Sequence, residues 1–198
     1  MHLPVNSFKH AIAARKLQLG LWSILFSHVT VKIIAGAGCD WIVLDTEHAA
    51  NELPMVYAQL QASDAARGYS SAPRANRFGR AKDNATHCED ELCVLLQVET
   101  RRGLDNLEAI AGVEGVFIGP GDLAAALGHV GDAKHPDVLR TIEATIARIH
   151  ACGKPAGILT PDETLARRCI ELGGSFVANG SDQGLMARGA EQLVARLS

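Results

Sequence analysis

Residues 95–104 read LLQVETRRGL, and residues 116–125 read VFIGPGDLAA. In each, a short apolar run stops on a carboxylate. Leu95, Leu96 and Val98 lead to Glu99; Val116, Phe117 and Ile118 lead through Gly119-Pro120-Gly121 to Asp122. Continuous apolar runs bounded by turn residues read as buried strands of a parallel sheet. Parallel strands of α/β folds carry their functional groups at the carboxyl ends. Taken alone, Glu99 reads as a solvated strand end and Asp122 as the cap of the turn that follows it. Together they end consecutive strands joined by one helix, so they can converge on one point. Two oxygen donors with open remaining positions suit a hard divalent cation, Mg²⁺ or Mn²⁺.

Outward from this pair the chain alternates strand and helix, the rhythm of a parallel α/β sheet. Strands are expected at 19–25, 40–47, 92–99, 115–120, 155–160 and 175–180. Helices are expected at 28–38, 51–62, 100–112 and 135–153, with a last one beginning at Ser181. Asn51 and Thr100 are the expected N-caps of their helices. In TPDETLARRCIELGG (160–174), Thr160 reads as an N-cap, Pro161 as the first helical residue and Glu163 as the partner in a capping box. Residues 63–91 break the rhythm: they are polar and poor in large apolar side chains. Such a stretch inside a compact domain is uncommon and usually functional or disordered.

Composition narrows the class. The chain has 198 residues, 47% hydrophobic and 21% charged, with a net charge of -3, which suits one globular domain over residues 1–198. No basic block suggests nucleic acid, and no apolar stretch reaches the length of a membrane span. The first residues, MHLPVNSFKHAIAARKLQ, lack the apolar core of a secretory signal. Five cysteines at 39, 88, 93, 152 and 169 are irregularly spaced, which implies reduced thiols and a cytoplasmic setting.

Other ionisable groups sort by position. Asp45-Thr46-Glu47-His48 ends the strand at 40–47. There His48 is either a general base near neutral pH or a plain loop histidine. His28, His129 and His135 read as helix-edge or loop residues. HCEDELC (87–93) lacks a fourth ligand at zinc-site spacing. Gly36-Ala37-Gly38 follows a helix and lacks a third glycine, so it is no dinucleotide fingerprint. The Gly119–Asp122 turn exposes backbone N–H groups, a natural cradle for a carboxylate or phosphate.

Three stretches, GLWSILFSHVTVKIIAGAGCDWIVLDTEHAANEL, LLQVETRRGLDNLEAIAGVEGVFIGPGDLAAALGH and GKPAGILTPDETLARRCIELGGSFVANGSD, resemble the HpcH/HpaI aldolase family. The resemblance implies a (β/α)₈ TIM-barrel fold and metal-dependent retro-aldol cleavage of a 4-hydroxy-2-oxo acid to pyruvate and an aldehyde. It implies Glu99 and Asp122 as ligands of Mg²⁺ or Mn²⁺, with Co²⁺ possible. The backbone of Gly121 and Asp122 would bind the substrate carboxylate, and His48, with Asp45 beside it, would move protons. A homo-oligomer, a hexamer in the family, is also implied, with the last helix packed on a neighbouring subunit.

The chain departs from the family pattern between 62 and 92. Two strand–helix units are missing there, roughly fifty residues of a barrel whose usual length is about 250. One of them carries, in the family, an arginine that contacts the keto oxygen. Arg67, Arg74, Arg77 and Arg80 lie in this segment, and none matches that motif. The expectation is therefore an incomplete barrel of six strands, with 63–91 spanning an open side in place of the missing units. Two other functions stay open: an acyl-CoA lyase of the malyl-CoA or citryl-CoA type, and an inactive, internally deleted homologue that acts as an assembly subunit.

Overall fold

The computed structural model describes residues 5–49, 51–62 and 89–197. Six strands, β1 (Gln18–Ser23), β2 (Trp41–Leu44), β3 (Leu95–Val98), β4 (Gly115–Ile118), β5 (Ala156–Leu159) and β6 (Phe176–Ser181), form one parallel sheet in the order β2-β1-β6-β5-β4-β3. This order is that of a barrel whose wall is open between β2 and β3. Among the described residues β2 pairs only with β1, and β3 only with β4. Direct pairing of β2 with β3 into a closed six-stranded barrel does not occur.

The sheet curls. Trp41 on β2 lies 6.4 Å from Phe117 on β4, and Trp22 on β1 lies 5.4 Å from the same ring, although β6 and β5 separate β1 from β4 in the sheet. Phe176 on β6 joins them, and Phe8 and Ile12 of α1 (Ser7–Ala13) pack on the same cluster. Glycine makes room for these rings. A Cβ on Gly20 would sit 2.1 Å from the Trp41 ring, and one on Gly157 would sit 2.1 Å from Phe176. Large rings beside glycines fill the inside of the half-barrel as a packed layer.

The outer layer is helical: α2 (His28–Ala35), α3 (Leu53–Ala62), α4 (Arg101–Asp105), α5 (Leu107–Ile110), α6 (Pro120–Leu127), α7 (Pro136–Ala151), α8 (Glu163–Glu171) and α9 (Asp182–Leu197). Helix α7 shows why it forms. Val138, Ile142, Ile146 and Ile149 recur at helical spacing on one face and are all buried. They meet Val116 and Ile118 of β4, Ala156 and Ile158 of β5, and Val177 of β6 in the main core. That core is built by the β3–β6 half; the four residues of β2 are only half-buried.

The local reading needs four corrections. Helix α1 was not anticipated; Asn6 caps it by accepting from the N–H of Lys9. The helix expected at 100–112 is two short pieces broken at Asn106, whose φ of -109° is not helical; its N-cap is Thr100, as expected. The N-cap of α8 is Asp162, which accepts from the N–H of Leu165, while Thr160 Oγ1 accepts from Asp162 N. Thr160 thus makes a turn one step before the helix, and no Thr160–Glu163 capping box forms. Asn51 spends its side chain on the carbonyl of Asp45 and on Gln59 Nε2 rather than on the first turn of α3. His87, Cys88 and the arginines at 67, 74, 77 and 80 lie outside the described residues. Cys39, Cys93, Cys152 and Cys169 are free thiols. No helix among the described residues is long and apolar enough to cross a membrane.

Candidate active site

Strand register places Glu99 beside Gly119. Val98 pairs with Ile118, so the next residue of each strand enters the rim together. The contact is close: a Cβ on Gly119 would lie 2.4 Å from Glu99 Oε2 and 2.7 Å from Gln97 Nε2. Glycine at 119 is thus what allows the half-buried Glu99 carboxylate to lie across β4. Gln97, two residues back and on the same face of β3, donates its Nε2 hydrogen bond to Glu99 Oε2. Gln97 was not singled out in the sequence, although the two-residue strand period of LLQVE places it next to Glu99.

The turn after β4 opens α6. Gly119 is its N-cap without a side-chain cap bond, Pro120 stands at the first helical position, and Asp122 lies in the first turn. Pro120 has no N–H, and the next two N–H groups, those of Gly121 and Asp122, are among the donors that an α-helix leaves without an intrahelical partner. Both residues are exposed. Exposed N–H groups at the positive end of a helix favour an anion, and carboxylates such as those of Glu99 and Asp122, which follow adjacent strands, favour a cation. This set of hard oxygen donors fits a divalent ion of the Mg²⁺ or Mn²⁺ type.

Asp45 and His48 follow the end of β2, the outer strand opposite β3 in the sheet order. Asp45 is buried and surrounded by donors. Its Oδ1 accepts from the N–H groups of Glu47 and His48, both at 2.8 Å, and its Oδ2 accepts from Trp22 Nε1 at 3.0 Å. Burial works to raise its pKa, but the N–H bonds of His48 and Glu47 and the Trp22 indole outweigh it and hold the carboxyl below its ordinary value. Asp45 is therefore an anion already engaged by the protein. The His48 imidazole is mostly exposed, and its Nδ1 lies 3.4 Å from Asp45 Oδ2. Trp22 is a second residue that sequence reading missed. It links the aromatic interior to Asp45, and an aromatic in a strand signals packing rather than hydrogen bonding.

The loop after β1 is fixed from the end of its neighbour β6. The buried Asp182, first residue of α9, accepts from Ser23 Oγ at 2.8 Å, Ile24 N at 2.9 Å and Gln183 N at 2.8 Å. Phe26 in that loop is held at a φ of 39°, a conformation costly for a non-glycine residue. The final helix thus anchors the rim next to Asp45.

The family described as HpcH/HpaI aldolase/citrate lyase matches residues 51–189. A pyruvate aldolase of Rhizobium etli is 42% identical over 253 residues, with 100% of each chain covered. A 5-keto-4-deoxy-D-glucarate aldolase of Salmonella arizonae is 38% identical, with 95% of each chain covered. An HpcH/HpaI aldolase/citrate lyase family protein of Burkholderia cenocepacia has a crystal structure that matches this one with a TM-score of 0.89 at 28% identity, covering 98% of this chain and 99% of that one.

Proposed function

The chain belongs to the HpcH/HpaI aldolase/citrate lyase family, and we propose that it is a divalent-metal-dependent carbon–carbon lyase that cleaves a 4-hydroxy-2-oxo acid to pyruvate and an aldehyde. The observation that carries this reading is Glu99 lying against Gly119, on the strand next to the turn that bears Asp122. The relatives named pyruvate aldolase and 5-keto-4-deoxy-D-glucarate aldolase support the reaction class.

Glu99 and Asp122 would hold Mg²⁺, Mn²⁺ or Co²⁺. Such a dication supplies Lewis-acid stabilisation of the negative charge that grows on the 2-oxo group as the bond between C3 and C4 breaks. The N–H groups of Gly121 and Asp122 bind the substrate carboxylate at the start of α6. His48 takes the proton of the C4 hydroxyl as the aldehyde carbonyl forms. The same proton returns to C3 to complete pyruvate, so atoms and charge balance. Asp45 does not touch the substrate; it orients His48 through the backbone N–H and Nδ1.

We also propose that residues 1–198 are a single barrel domain in which 63–91 stands in for two absent strand–helix units. The open wall between β2 and β3 falls where those units belong, and the Rhizobium etli relative aligns over 253 residues against the 198 of this chain. The same gap favours a second reading, an inactive subunit that persists by assembly, because none of Arg67, Arg74, Arg77 and Arg80 matches the motif of the arginine expected at the keto oxygen. Pyruvate release from a 4-hydroxy-2-oxo acid decides between them. After chelator treatment, release restored by Mn²⁺ or Mg²⁺ is the expected result. No release with either ion, from protein that still binds it, would overturn the lyase reading in favour of the assembly subunit.

A further inference from the structure

Away from the strand ends, the link from α6 to α7 gathers three metal-ligating side chains. Gly128, at a left-handed φ of 94°, ends α6 and turns the chain into His129. His135 is the N-cap of α7, and Asp137 lies in its first turn. The two imidazoles stack with centroids 3.5 Å apart and planes 14° apart. His129 Nε2 is 3.4 Å and His135 Nδ1 is 3.7 Å from the same atom, Asp137 Oδ2. One donor atom from each residue lies within 4.8 Å of the others, the one such set of three among the described residues.

These separations have a chemical meaning. Ligands about 2.0–2.2 Å from a tetrahedral ion stand about 3.4 Å from one another, the edge of the tetrahedron. Two of the contacts here are already near that length. His135 Nδ1 accepts the N–H of Asp137 at 3.2 Å, so that nitrogen carries no proton, and an ion bound there replaces this cap bond and turns the stacked rings until both lone pairs meet it. Arg140 pairs with the other carboxylate oxygen, Oδ1, which leaves Oδ2 toward the imidazoles. Both histidines are half-buried, so little solvent must be displaced. Nitrogen donors favour a borderline transition metal over Mg²⁺.

We propose that His129, His135 and Asp137 form a second cation site, selective for Zn²⁺-like ions and separate from the Glu99–Asp122 pair. Bound there, the ion staples the end of α6 to the start of α7 and leaves its fourth position to water.

The test is calorimetric titration of the full chain with Zn²⁺ alone, in a Glu99→Gln/Asp122→Asn background that removes the acidic pair. One Zn²⁺ per chain is expected in that background, with a higher melting temperature. His129→Gln keeps the α7 cap intact and should weaken binding by more than the ~10–100-fold seen when only ligand-orienting groups are changed. Asp137→Asn should act likewise, with circular dichroism showing both variants folded. Absence of Zn²⁺ binding in the Glu99→Gln/Asp122→Asn protein, or unchanged affinity in folded His129→Gln, would overturn the site.

Discussion

At the scale of single residues, the proposed chemistry turns on a few side chains at strand ends. Glu99 and Asp122 supply the only negative charge proposed for the ion, so losing either removes half of it. Glu99→Gln and Asp122→Asn should each weaken Mn²⁺ binding sharply. Gly119→Ala should do the same without touching a ligand, because its methyl would take the place of Glu99 Oε2. Metal titration checks all three; wild-type affinity throughout would remove the ion from these residues. His48 predicts a different pattern. His48→Gln should leave metal affinity nearly unchanged and lower kcat by about 10²–10⁴-fold, the usual contribution of a general base. Turnover equal to wild type would reduce His48 to a loop residue. Cys169, by contrast, is a packing residue: burial first, and the charge of Glu143 second, push its thiol up to about 11, where it stays protonated and unreactive.

At the scale of elements, the β3–β6 half carries the stability, and one titrating group reports on it. His150 sits in the last turn of α7 against Gly173, where a Cβ would fall 2.5 Å from its ring. Burial, then the charge of Arg15, hold its imidazole below the ordinary 6.5, with a partial offset from a bond to the Gly173 backbone. The unfolded chain therefore takes up this proton first. Above 6.5 both states are neutral and nothing is lost; as the pH falls below 6.5 the unfolded state is increasingly favoured, down to the lower folded value. Urea unfolding at about pH 7.5 and pH 5.5 should show a drop in midpoint that is smaller in His150→Gln. Equal drops in both proteins would show that His150 does not titrate differently on folding.

At the scale of the whole molecule, the open wall dominates. Among the described residues no strand pairs with the outer edge of β2 or β3, and Leu92, Val94 and Leu96 at and before β3 are exposed. Exposed apolar edges template pairing with other chains. The protein is expected to associate in solution and to cleave its substrate slowly while still binding metal. Leu96→Lys, which places a charge on that edge, should shift sedimentation toward smaller species. A sharply melting monomer with vigorous pyruvate release would mean that residues 63–91 supply a replacement for the missing units.

The six strands, their parallel order of appearance and the acids at their ends were legible in the sequence, because buried strands need continuous apolar runs and turns need Gly and Pro. The resemblance pointed to the barrel and to the interrupted wall. Element ends were less legible. Whether Thr160 or Asp162 caps α8, or Asn51 caps α3, is a competition between nearby acceptors, decided by where the backbone points after the sheet has formed. Three features had no sequence signal at all. The Trp22–Asp45 bond, the clamp of Asp182 on the β1 loop and the meeting of His129 with Asp137 join residues distant in sequence or separated by a turn. Local periodicity reports which face a residue occupies; only the curl of the sheet and the packing of α6, α7 and α9 against it decide which side chains meet there.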